Sequence, residues 1–97
     1  MAVGILAAAI GIAAIAAAAV ASAEPPAGAA SCSGCHPAST RVTSPVPRLA
    51  GFDRAAIVRA MQDFRSGSRA ATVMDRIAKG FTDDEIQAIA AWWATQK

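Results

Sequence analysis

The chain has 97 residues, 55% of them hydrophobic and only 16% charged, with a formal charge of +2. That length leaves room for one domain at most once a leader is set aside. A balance so mild, with no basic stripe interleaved with aromatics, argues against a nucleic-acid partner.

Residues 1–23 are almost entirely Ala, Ile, Val, Gly and Leu, carry no charged side chain, and end in Ala21-Ser22-Ala23 ahead of Pro25-Pro26. An apolar run closed by small residues predicts a secretory signal peptide, with residues 24–97 exported to the periplasm as the working domain. The run is also long enough to approach a membrane span, so an uncleaved anchor is the alternative, and only then would the membrane be a partner. Every Lys, Arg, Asp and Glu lies in residues 24–97. A segment this short needs a staple such as a metal, a disulfide or a cofactor to complete its core.

Residues 24–30 read as a Pro, Ala and Gly tether that turns helical just before Cys32. Next comes Cys32-Ser33-Gly34-Cys35-His36, two thiols separated by two residues with an imidazole directly after the second. This is the haem-attachment pattern of c-type haem proteins: cysteines one helical turn apart can each add to a haem vinyl group, and the adjacent histidine supplies an axial nitrogen to the iron. Thioredoxin-type redox chemistry would place the pair at a helix start within a strand-helix-strand unit, and no strand-like run precedes it. A closed zinc site wants four protein ligands, and Cys32, Cys35 and His36 are the only Cys and His residues. A Cys32–Cys35 disulfide would close a loop too short to restrain much of the chain.

From Pro37 to Gly51 the chain is rich in Ser, Thr and Pro, including Pro45 and Pro47, which predicts a loop beneath the haem. Asp53 to Ser66 predicts an amphipathic helix with Asp53 as N-cap, Ile57, Ala60, Met61 and Phe64 on one face, and Gly67 at its end. Thr72 to Lys79 predicts a short helix closed by Gly80. Thr82 and Glu85 predict a capping box, and Ile86, Ile89, Ala90 and Trp93 form the apolar stripe of the last helix. Adjacent helical positions cannot both face the core, so Trp92 and Trp93 must differ in burial. The expected fold is all-α, about four short helices around one covalent haem.

Opposite His36 the candidate ligands are Met61 and Met74. Met61 lies inside an amphipathic stripe, where a methionine more often fills the core. Met74 follows a Gly-Ser-Arg turn in a short segment able to approach the ring, and an iron open on that face is the remaining reading. Arg65 and Arg69 are candidates to pair with haem propionates, against the commoner role of solvated surface arginines.

The motifs CSGCH, VPRLAG, FRSGSR and TVMDRIAKGFTDDEI, followed by AIAAWWA, together resemble small class I c-type cytochromes over about Ser31 to Ala94. Within that class they look most like the cytochrome subunits of flavocytochrome c sulfide dehydrogenases. The resemblance implies Met74 as the second iron ligand and the carbonyl of Pro47 as acceptor for the imidazole N–H of His36. It also implies a non-catalytic electron carrier that accepts electrons from a flavin-containing sulfide dehydrogenase subunit and passes them to a downstream acceptor. A free soluble shuttle of the c4 or c5 kind, serving a terminal oxidase, is the alternative, and a Cys-x-x-Cys thiol module the more distant one.

Overall fold

The two long helices of the computed structural model each start after a residue whose side chain caps them. The structure describes residues 24–97, and the expected signal peptide, residues 1–23, lies outside the described residues. Asp53 is extended, and its carboxylate accepts from the Ala56 amide at 3.0 Å, which opens helix α1 at Arg54–Ser66. Gly67 ends α1 at φ 82°, a left-handed conformation that glycine adopts without a Cβ penalty. The predicted capping box closes as written: Thr82 Oγ1 accepts from Glu85 N, and Glu85 Oε1 accepts from Thr82 N, each at 3.2 Å. It opens the last helix, α3, at Asp83–Thr95. Asp83, Asp84 and Glu85 fill the first turn, where the helix dipole favours negative charge.

Between them the short helix α2 spans Met74–Ala78, so it starts at Met74 rather than at Thr72. Val73 precedes it at φ −140° without a side-chain cap, a backbone that cannot continue a helix upstream. The first of the expected helices is a 3₁₀ turn, Ala30–Gly34, rather than an α-helix. The reason is local: Ser31 Oγ donates to Gly28 O and Ser33 Oγ to Ala30 O, both at 2.6 Å, three-residue bonds that suit the tighter winding. Residues 37–51 hold no helix, as their prolines predict. Among the described residues there is no strand, and the fold is all-α.

Helix α1 packs against both α2 and α3. The buried core takes Ile57 and Met61 from α1, Ala78 from α2, Ile86, Ile89, Ala90 and Trp93 from α3, and Ala29 from the tether. The stripe expected on α3 is therefore buried throughout, whereas Ala60 and Phe64 of the α1 stripe are half-covered. Arg65 locks the end of α1 to the α2–α3 turn by donating to Phe81 O at 3.2 Å and to the Asp83 carboxylate.

Gly28 brings the tether onto this core. Its φ is +85°, and a Cβ there would lie 2.5 Å from Cε1 of Phe81 and 3.6 Å from Ile89 Cδ1. Only glycine meets both demands. We expect Gly28→Ala to lower stability by about 1–3 kcal/mol through backbone strain and overpacking, read as the denaturant midpoint of the cofactor-loaded protein.

Candidate functional site

The 3₁₀ turn presents Cys32 and Cys35 as free thiols, the first half-buried and the second exposed. The amides of Cys35 and His36 both donate to Cys32 O, at 3.2 and 2.9 Å, so the turn closes directly into the histidine. Residues three apart on such a turn nearly eclipse one another, which gives both sulfurs one side of the segment. Cys32 Sγ donates to Gly28 O at 3.7 Å, long and weak as thiol bonds are. Burial pushes the Cys32 thiol above its ordinary pKa, a rise opposed by the Trp93 indole and by the backbone amide of Cys32.

His36 Nδ1 lies 2.6 Å from Pro47 O. A carbonyl oxygen only accepts, so Nδ1 carries the proton and donates, and Nε2 keeps its lone pair free to bind a metal. The loop between them is clipped a second time, because the Arg48 guanidinium donates through Nε and Nη2 to Ala38 O at 3.3 and 3.1 Å. It is anchored on the helical layer as well. Gly51, at φ +75°, donates its amide to Trp93 O at 3.1 Å, while Leu49 and Ala50 pack against the core. Arg48 was invisible as a site residue in the sequence, since an arginine in a Pro-flanked loop carries no positional signal.

The two methionines separate cleanly. Met61 is a core side chain at 9% exposure, whereas Met74, the first residue of α2, is half-buried at the edge of the core. Val73 and Ile77 flank Met74 with large exposed apolar side chains. The suggested propionate partners are engaged elsewhere: Arg65 bonds Phe81 O and Asp83, and the Arg69 guanidinium stacks 5.0 Å from the Phe64 ring centroid. Trp93 is buried, and Trp92 is half-buried, edge-on to it with ring centroids 4.8 Å apart.

These residues fit a covalent haem. The donor set joins two free thiols, one imidazole with a defined tautomer and one accessible thioether, the combination that haem attachment and axial ligation require. The buried Nε1 of Trp93, in the core cluster against which Cys32 packs, has no hydrogen-bond partner at ordinary geometry. Among the described residues no group of three or more His, Cys, Asp and Glu side chains converges to hold a bare metal ion, and no helix among them is long and apolar enough to cross a membrane.

The chain is similar to the cytochrome subunit of sulfide dehydrogenase of Chlorobaculum tepidum, with 43% identity over 63 residues, 65% of this chain and 57% of that protein. It is also similar to the thiosulfate dehydrogenase electron acceptor of Stutzerimonas stutzeri, 38% identical over 65% of this chain and 30% of the relative. A third relative, cytochrome c4 of Pseudomonas aeruginosa, is 32% identical over 91% of this chain and 44% of its own length. The chain thus spans between about a third and somewhat over half of these relatives. No protein-family model matches it. The relatives are c-type cytochromes, and the resemblance read from the haem motif and its companions holds.

The contrast between the methionines yields a paired prediction. Met74→Ala should abolish the methionine-to-iron absorption band and lower the reduction potential. Met61→Ala should keep the band and cost about 2–5 kcal/mol of stability as a core cavity, measured by thermal unfolding beside visible spectroscopy.

Proposed function

We propose that this chain, a relative of c-type cytochromes, is a periplasmic monohaem electron carrier that takes electrons from a flavin-containing sulfide dehydrogenase subunit and hands them to a downstream acceptor. The observation that carries this reading is the His36 Nδ1–Pro47 O contact at 2.6 Å, directly after two free thiols on one turn. It turns a half-buried imidazole into an oriented Nε2 donor next to the points of covalent attachment. A bound haem supplies a one-electron iron couple. Cys32 and Cys35 would tether it, and His36 and Met74 would be the protein ligands of its iron. Rigid ligation suits electron transfer, because little needs to rearrange when the oxidation state changes.

On this reading the chain makes and breaks no substrate bond. It is the non-catalytic half of a sulfide-oxidising pair, a role supported by its likeness to the Chlorobaculum cytochrome subunit. The likeness to cytochrome c4 runs over 91% of this chain and favours a second reading, a free shuttle between other partners. The two readings differ in one observable, stable association with a flavoprotein.

Expression with periplasmic haem-maturation machinery should give a red protein whose mass exceeds the polypeptide by one haem that survives denaturation. Sulfide plus the flavoprotein should reduce it, and the two proteins should co-purify. A coloured protein that stays monomeric and oxidised in that mixture is the free shuttle. A colourless product whose thiols both react with alkylating reagents is a thiol module instead.

A further inference from the structure

The 2.6 Å contact between His36 Nδ1 and Pro47 O joins residues eleven positions apart, across a loop with no buried residue between them. A single hydrogen bond at a half-covered site gains little by itself, because water competes for both partners. Something else must hold the loop shut. Two residues past the imidazole and one past its acceptor, Arg48 donates through Nε and Nη2 to Ala38 O at 3.3 and 3.1 Å. Once either rung of this pair has formed, the ends of the loop are already together, so the other rung does not bear the closure entropy a second time. Each rung stabilises its neighbour.

The coupling between the rungs is covalent. The Pro47 carbonyl and the Arg48 amide belong to one planar peptide unit, so the loop cannot carry the oxygen away from Nδ1 without moving Arg48 as well. On one side of that unit the proline ring fixes φ. On the other, the guanidinium grips Ala38 O, Leu49 packs on the core, and the Gly51 amide donates to Trp93 O at 3.1 Å. A forked guanidinium suits this task, because its rigid plane brings two N–H groups to one oxygen, and Arg48 is itself half-buried.

We propose that Arg48 is a positioning residue for the iron ligand His36: by gripping Ala38 O it keeps the Pro47 carbonyl on Nδ1, and so sets the donor strength of Nε2 and with it the reduction potential. This role rests on the haem reading above. The firmer the Nδ1–H bond to the carbonyl, the more basic the opposite nitrogen. A stronger donor favours the ferric state, so a firm rung lowers the potential and a loosened one raises it. Loss of a nearby positive charge acts in the opposite direction, which separates positioning from simple electrostatics by sign.

The test uses the cofactor-loaded full chain, whose single histidine gives one imidazole N–H signal. In Arg48→Ala, exchange of the His36 Nδ1–H proton with solvent, read by NMR of the reduced protein, should quicken on the order of tenfold, and the potential should rise. Arg48→Lys keeps the charge and loses the fork, so it should shift both readouts in the same direction by less, and it carries the test alone if the alanine variant does not fold. Wild-type values of both readouts in the lysine variant overturn the proposal. A lowered potential in Arg48→Ala overturns it too, as does lost stability with exchange and potential unchanged. A colourless wild-type product removes the haem reading itself and is told apart by its spectrum.

Discussion

A carbonyl oxygen cannot donate, and the site depends on that simple restriction. Because Pro47 O faces His36 Nδ1 at 2.6 Å, the imidazole is held in one tautomer and its other nitrogen is left basic. The partner is backbone, so the geometry is set by where the loop runs rather than by a second side chain. Two prolines restrict the backbone near that carbonyl, and Arg48 ties the loop back to Ala38 O. The Gly51 amide then fixes the end of the loop to Trp93 O. A half-buried histidine is thereby made as well placed as a fully buried one.

Helix α3 is the common support. Its buried Ile86, Ile89, Ala90 and Trp93 share one core with residues of α1, α2 and the tether, and full burial of an isoleucine is worth about 1.5–3 kcal/mol. Through Trp93 the helix holds the ligand loop, and through Ile89 it lies beside Gly28 and hence the turn bearing Cys32. The site elements themselves bury little: Cys35 and Pro47 are exposed, and His36 and Met74 are only half-covered. A region with so few apolar contacts opens at low cost. A large apolar cofactor bonded to the turn, as proposed for this chain, would supply the missing burial and couple its binding to folding.

Much of this was legible because the relevant signals are local. Caps act over three residues, so Asp53, Thr82 and Glu85 marked their helices correctly, and the 3.6-residue period marked the buried face of α3. The haem motif is likewise contiguous, and the resemblance to c-type cytochromes read from it agrees with the relatives. What the residues alone left open was long-range. How deeply Met61 and Met74 are buried depends on the helix packing, and nothing in the composition of the 37–51 loop says that Arg48 turns back on Ala38. The serines beside Cys32 were a signal for the 3₁₀ turn, because their hydroxyls reach back to carbonyls three residues earlier.

Charge is the property in which sequence and structure diverge most instructively. Counting gives a surplus of two positive side chains, but several guanidiniums are used internally. Arg48 closes the ligand loop, Arg54 donates to Gln87 Oε1 at 3.1 Å, Arg65 clamps Phe81 O and Asp83, and Arg69 stacks on Phe64. Carboxylates at Asp53, Asp83 and Glu85 are occupied in turn by helix caps and by the Arg65 clamp. Charged groups in this small domain therefore satisfy backbone ends and hold elements in register. With a formal surplus of only two charges, long-range steering of a partner is weak, and specificity must come from close contact.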